Sequence, residues 1–211
     1  MEALHQITAT LALSMGLAWA SGLNLYATLF TLGYLANTGN IDLPQNLQIV
    51  ADPMVMGAAG IMYLVEFFAD KMPGVDTGWD AIHTFIRIPA GAMLAAGAMG
   101  DLNPAVEVTA AILGGGLAAG THATKAGTRV LINTSPEPFS NWLASVSEDV
   151  AVVTGVWACV NNPIMFLVAL VVFILLMIWL LPRLMAGVKK VFRFIINLFS
   201  KESETTQLPP H

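Results

Sequence analysis

Apolar residues run along the chain in long blocks separated by Pro, Gly and Asn, and about 20 mainly apolar residues suffice for a helix to cross roughly 30 Å of hydrocarbon. Dividing the chain on that basis predicts six spans: Leu4 to Ala36, Pro53 to Lys71, Trp79 to Met99, Pro104 to Ile132, Phe139 to Val160 and Pro163 to Leu181. The first is too long for one straight crossing, and Ser21-Gly22-Leu23-Asn24 in its middle predicts a bend or break. Gly114-Gly115-Gly116 predicts an interruption of the fourth, and Pro89 lies inside the third. After Pro182, residues Val188, Val191, Phe192, Ile195, Ile196 and Phe199 recur at helical spacing, with Lys189, Lys190 and Arg193 elsewhere around the helix. That pattern predicts an interfacial amphipathic helix over residues 183–200, following a transmembrane domain of residues 1–182 and preceding a polar, disordered tail of residues 201–211. The predicted fold is an all-α, polytopic membrane helix bundle of about six transmembrane helices, the first and fourth broken, with a C-terminal amphipathic helix.

Composition strengthens this picture. Of 211 residues, 56% are hydrophobic and 11% charged, and the mean hydropathy is +0.69, outside the balance of a soluble domain. Lipid is the expected solvent and the bilayer the first partner. The formal net charge of -5 misleads about partners, because much of the acid sits in the hairpins and in the tail Lys201 to His211 while the clearest positive cluster follows the last apolar run, and nucleic acid is not an expected partner. Cys159 is the single cysteine, so neither an intrachain disulfide nor a cysteine-based metal site can be assembled. Ile7 to Leu17 resembles a signal-peptide core and Ala18-Trp19-Ala20 a cleavage site, but no positive residue precedes them and the apolar pattern continues to Ala36. A retained first helix is therefore expected.

All nine Lys and Arg residues fall toward one side of the predicted topology. Lys71 and Arg87 flank the loop between spans two and three, Lys125 and Arg129 approach that between four and five, and the rest follow span six. The loops at Asn37 to Asp52, Gly100 to Asn103 and Asn161-Asn162 carry none. Cytoplasmic flanks are enriched in these residues, so both termini are expected in the cytoplasm and the protein in a bacterial inner membrane. Two internal repeats compete: a match between the hairpins at Lys71 to Trp79 and Asn133 to Trp142, and a match between Gly16-Leu17-Ala18 and Gly116-Leu117-Ala118 that makes inverted halves, a common transporter plan.

The candidate chemistry is a set of polar stripes. Asp80, His83 and Arg87 stand at i, i+3 and i+7, and His122, Lys125 and Arg129 repeat that spacing one span later. Asn141, Ser145 and Glu148, with Asp149 beside it, line the fifth span, and Glu66 and Asp70 the second. Ionised groups at membrane depth cost about 2.5 to 3.5 kcal/mol each on insertion scales and normally face a bundle interior or cavity where they find partners. The candidate substrate or ion-coupling residues are thus Glu66, Asp70, Lys71, Asp76, Asp80, His83, Arg87, His122, Lys125, Arg129, Asn133, Glu137, Asn141, Glu148 and Asp149, set against a purely structural ion-pair network that locks the hairpins. Ser21, Gly22 and Asn24 are helix-break candidates, because interruptions often build substrate or ion sites. Asp76, Asp80, His83 and His122 could ligate a divalent ion, but no His-x-x-x-His or Glu-x-x-His spacing supports a metal. No catalytic residue is assigned, since Ser135, Ser140 and Ser145 lack a nucleophile elbow, and no cofactor is expected.

The segments Ser21-Gly22-Leu23-Asn24, Val65 to Asp76 (VEFFADKMPGVD) and Trp79 to Arg87 (WDAIHTFIR) together resemble the bacterial membrane family of domain of unknown function 4126. Lys125-Ala126-Gly127, Asn133 to Trp142 (NTSPEPFSNW) and Glu148-Asp149 are similar to the family's later signature, so the resemblance covers about residues 16 to 160. It implies the fold boundaries and no substrate, cofactor or catalytic residue.

The leading expectation is a transporter or channel-like permease for a small ion or an anionic, phosphate-bearing solute or lipid headgroup. Arg87, Lys125 and Arg129 suit anions, and Asp70, Asp80, Glu148 and Asp149 suit proton or cation coupling. The alternatives are a membrane-embedded enzyme acting on a lipid or polyprenyl phosphate, with His83 or His122 in acid–base work, and a structural or partner-binding subunit. A homo-oligomer is compatible with each.

Overall fold

The computed structural model describes residues 2–72, 74–100, 103–134 and 139–205, apart from the side chains of Ile195 and residues 198–205. It contains six α-helices and no strand among the described residues: α1 (Glu2–Asn37), α2 (Pro53–Ala69), α3 (Val75–Gly97), α4 (Pro104–Ile132), α5 (Phe139–Asn161) and α6 (Pro163–Thr205). A short 3₁₀ helix, Gln45–Ala51, precedes α2. The chain is thus all-α, with each helix where an apolar block predicted one. Asp52 and Asn103 cap α2 and α4, accepting from Met54 N and Ala105 N, each ahead of a proline that needs no donor partner.

Helix α1 is the central element. It touches every other helix, and its buried positions run from Ala12 to Leu35. The buried faces of α3 and α4 are divided lengthwise. One half carries small and apolar residues, Gly91, Leu94 and Ala95 on α3 and Ala110, Gly114, Leu117 and Ala118 on α4; the other carries Asp76, Asp80, His83 and Arg87 against His122, Lys125 and Arg129. Because the helices are antiparallel neighbours, the two polar halves meet. The small residues let the backbones approach closely: a Cβ on Gly91 would lie 2.5 Å from the Ala118 methyl, and one on Gly22 would lie 2.6 Å from the Ala118 carbonyl.

The predicted break in α1 is present, because Asn24 is non-helical (φ −150°, ψ 102°). The predicted break in α4 is not. Helix α4 is uninterrupted through Gly114-Gly115-Gly116, and Gly114 serves close packing against Ala95 and the Gly91 carbonyl. Helix α6 continues through Pro182 as one 43-residue helix, so the stretch read as amphipathic has no break before it, and helix extends to Thr205. Residues 206–211 lie outside the described residues. Helix α3 begins at Val75 rather than Trp79, because the Asp76 carboxylate accepts from Gly74 N (2.9 Å) and Thr77 N (2.6 Å) at the helix start.

By length and composition, two helices are apolar enough to cross a membrane, α5 and the Pro163–Phe194 part of α6; the 3₁₀ helix and α2, bent by 63°, pass as a pair and make up to three. Large apolar side chains point outward along the bundle, among them Phe85, Ile112, Leu175 and Trp179. A helical membrane protein accounts for that surface, which water would not tolerate at such extent.

Candidate functional site

The site starts at the break. In an uninterrupted helix the Ala27 N–H would bond the Leu23 carbonyl. Here the Asn24 side-chain oxygen takes Ala27 N (3.0 Å), capping the second half of α1, and Thr28 Oγ1 donates to the Asn24 carbonyl (2.7 Å). Two groups are thereby redirected. The freed Leu23 carbonyl accepts from Lys125 Nζ (3.1 Å), and the Asn24 amide Nδ2, turned away from the cap, donates to Asp149 Oδ1 (3.1 Å).

Around Lys125 lies a buried ion-pair network. Its ammonium is 2.9 Å from Asp70 Oδ2, 3.4 Å from Glu148 Oε2, 3.5 Å from Glu66 Oε1 and 3.8 Å from Asp80 Oδ1. Arg87 binds Glu66 (2.6 Å) and Asp80 (3.0 Å), while Arg129 binds Glu148 (2.7 Å) and Asp70 (3.6 Å). Four carboxylates from α2, its cap, α3 and α5 thus meet three cations from α3 and α4. Arg87, Lys125 and Arg129 side chains are fully buried. Unpaired charge there would be costly, which accounts for the density of pairing. Even so, Glu66 Oε2, Asp70 Oδ1 and Asp80 Oδ2 are buried with no hydrogen-bond partner among the described residues.

His83 and His122 are both tied to this end of the bundle, in different ways. Arg87 Nη1 is 3.0 Å from His122 Nδ1, and a guanidinium can only donate, so Nδ1 accepts. Nε2 lies 3.1 Å from the Asp80 carbonyl, which can only accept, so it carries the hydrogen, shared with Thr84 Oγ1 at 2.8 Å. These partners assign His122 as a neutral imidazole with both nitrogens committed. His83 stands outside the ion pairs: its ring stacks on Trp79 (centroids 4.3 Å apart), Nδ1 donates to the Trp79 carbonyl (2.9 Å) and Nε2 contacts the Tyr26 hydroxyl (3.1 Å).

A second polar cluster joins the hairpins. Asn133 Nδ2 donates to both Asp76 oxygens (2.8 and 3.0 Å), its oxygen accepts from Asn141 Nδ2 (2.7 Å), and Arg129 Nη1 donates to the Asn141 carbonyl (3.1 Å). The α3 N-terminus supplies the Asp76 carboxylate with two further backbone donors. Both Asp76 oxygens are therefore satisfied, and this cluster works as a clasp that holds the two hairpins at one end of the molecule.

Lys71 and Asp149 take part in no ion pair among the described residues. Lys71 Nζ donates to the Phe67 carbonyl (3.0 Å) and Ser145 Oγ (3.2 Å) and lies over the Phe67 ring. Asp149, 9% exposed, has only Asn24 on Oδ1, and its Oδ2 is buried without a partner.

The structure therefore brings Glu66, Asp70, Asp80, Arg87, His122, Lys125, Arg129 and Glu148 together, links Asn24 and Asp149 to them through the break, and sets Asp76, Asn133 and Asn141 in the clasp. Ser21 and Gly22 support the break, Ser21 Oγ by donating to the Arg87 carbonyl (3.1 Å). Glu137 lies outside the described residues, as does Ser135. Among the described residues no group of three His, Cys, Asp or Glu side chains is placed to hold a metal ion. Sequence reasoning missed Tyr26, Thr84 and the Leu23 carbonyl. Thr84, at i+4 from Asp80 on the charged stripe, was the one with a periodic signal.

No curated protein and no solved structure matches the chain. A family model does match, over residues 11–183, further in both directions than the motifs alone reach and ending where the basic part of α6 begins. Those residues hold the break, the ion-pair network and the clasp together, and the chain belongs to the family described as Domain of unknown function (DUF4126).

Proposed function

We propose that the chain is a permease of the bacterial inner membrane, with six spans and cytoplasmic termini, that moves a small ion or charged solute past the network around Lys125. One observation carries the reading: the interruption of α1 at Asn24 delivers a freed backbone carbonyl, Leu23 O, directly onto the ammonium that four carboxylates surround. Unwound backbone at membrane depth is tolerated where it lines a protein-buried or wet site, and transporters use it to contact ions. Six spans are compatible with the charge on α3 and α4, because Asp80, Arg87, Lys125 and Arg129 are paired inside the bundle and offer lipid no charge.

The pairing also bears on what is moved. All three cations of the network are held by carboxylates, so an anionic solute would have to displace a carboxylate to bind, whereas the excess of acid over base favours a proton or a cation. The enzyme reading is left with His83 for acid–base work, since His122 has both nitrogens committed. The test is flux. Purified protein in liposomes is expected to carry proton or solute flux that an Arg87→Ala plus Glu148→Ala variant lacks; equal flux from both would sink the permease reading.

A further inference from the structure

Asp149 is the anomaly of the site. Its neighbour Glu148 sits between Arg129 and Lys125, yet Asp149, on the next position of the same helix, has among the described residues no ion pair and one unpartnered oxygen. A carboxylate cut off from water and unpaired is costly, and a bound proton removes that cost. The groups facing it are Tyr63 and Asp70 with Lys71 from α2 and its C-terminal end, and Lys125 from α4. Helix α1 presents Asn24, α3 does not pack on α5, and the chain of α6 carries no ionisable side chain before Arg183.

Lys71 is the complementary anomaly, a buried ammonium in no ion pair among the described residues. It lies at the hairpin end of α2 and donates to Ser145 Oγ (3.2 Å), and Ser145 stands one helical turn before Asp149 on the buried face of α5. Lys71, Ser145, Asp149 and Asn24 thus descend in that order from the hairpin end toward the break. We propose that Asp149 is a proton-binding site, loaded from the hairpin end through Lys71 and Ser145 and tied through Asn24 to the break in α1.

The step balances as a relay. The ammonium of Lys71 gives a proton to Ser145 Oγ, the serine hydroxyl then turns to pass its own hydrogen to Asp149 Oδ2, with which it makes no hydrogen bond in the resting structure, and Lys71 recovers a proton from water at the hairpin. Oδ1 keeps the Asn24 amide throughout, so the break senses the charge on the far oxygen. Loss of the proton leaves an anion next to the break that competes with Asp70 for Lys125, and Lys125 also holds the freed Leu23 carbonyl. The inference supplies the coupling ion for the proposed permease, and its coupling role rests on that reading; the proton site itself does not.

Infrared difference spectroscopy of the protein in lipid nanodiscs tests it. A protonated-carboxyl C=O band that shifts on transfer to heavy water is expected in the wild type at neutral pH, absent in Asp149→Asn and retained in Glu148→Gln. No such band in the wild type, or a band that survives Asp149→Asn, overturns the site. After a pH jump, Ser145→Ala is expected to reload the band at least about tenfold more slowly, as when a positioned proton carrier is lost; reloading at the wild-type rate overturns the route. An Asp149-dependent band in a protein that shows no flux of protons or solutes supports the proton site and sinks the permease.

Discussion

Two faces of α5, one residue apart, treat a carboxylate in opposite ways. Toward α4, Glu148 accepts from Arg129 at 2.7 Å and lies 3.4 Å from Lys125, within a seven-member set of alternating charges. Toward α1, Asp149 accepts from one neutral amide, and it forms no ion pair among the described residues. Both are acids of similar intrinsic strength, and a helix turns about 100° between neighbours, so what differs is only the helix each one faces. The paired face stabilises the assembly through charges that cannot be removed singly without stranding a partner. The unpaired face leaves an acid whose charge state is free to change. A buried acidic site is thus divided into a part that holds the bundle and a part able to respond.

The largest effect should come from the centre of the paired face. Arg87→Ala strands Glu66 and Asp80 and removes the donor to His122 Nδ1, and it is expected to cost about 3–5 kcal/mol, the range for breaking a buried pair. Detergent melting of the purified protein would register this as a large fall in midpoint or as loss of folded protein. A midpoint unchanged from wild type would mean that the paired face does not hold the bundle. Glu148→Gln comes next. It leaves Arg129 with Asp70 at 3.6 Å and its backbone partners, and an expected loss of about 1–3 kcal/mol follows from one under-satisfied buried charge. If Glu148→Gln proved neutral in the same melts, the division between the two faces would fail.

Much of the paired face could be read from the sequence. The repeated i, i+3, i+7 spacing of Asp80, His83 and Arg87 and of His122, Lys125 and Arg129 places each set on one helix face, and antiparallel neighbours bring such faces together. Helix positions followed from apolar runs and from Pro and Asn punctuation, and the break followed from Ser21 to Asn24. The glycine triplet was misread because glycine marks both unwinding and close approach, and what decides between them is Ala95 and Gly91 on another helix. Pro182 suggested a stop, yet a proline removes one backbone hydrogen bond and a long apolar helix can absorb it. Least legible was which acid is paired. Glu148 and Asp149 are adjacent letters, and their difference exists only once α1 and α4 are placed on either side.

Asn24→Ala probes the link between the unpaired face and the break. It removes the oxygen that caps Ala27 N and the amide that reaches Asp149, and the lost cap alone is expected to cost about 1 kcal/mol. Restoring a regular helix would let Ala27 N return to the Leu23 carbonyl and withdraw that carbonyl from Lys125. In reconstituted vesicles, flux should then fall more than the modest destabilisation implies. Wild-type flux from Asn24→Ala would separate the break from the activity.

The smallest stability change should come from Asp149→Asn, and its smallness is the informative part. An asparagine has the shape of a protonated aspartic acid: its carbonyl can keep accepting from Asn24 Nδ2, and its amide puts hydrogens where the proton on Oδ2 would be. If Asp149 is neutral in the resting protein, the exchange replaces like with like, and the melting midpoint should correspond to a change within about 0.5 kcal/mol. If Asp149 is instead an ionised member of the buried assembly, held by the field of Lys71 and Lys125, its loss should resemble that of Glu148→Gln, a drop of about 1–3 kcal/mol. The two adjacent substitutions, each a carboxylate turned into its own amide, therefore form an internal control: same helix, same depth, same chemical change. A wide gap between their midpoints supports the division of α5 into a structural face and a proton-bearing face, and equal midpoints refute it.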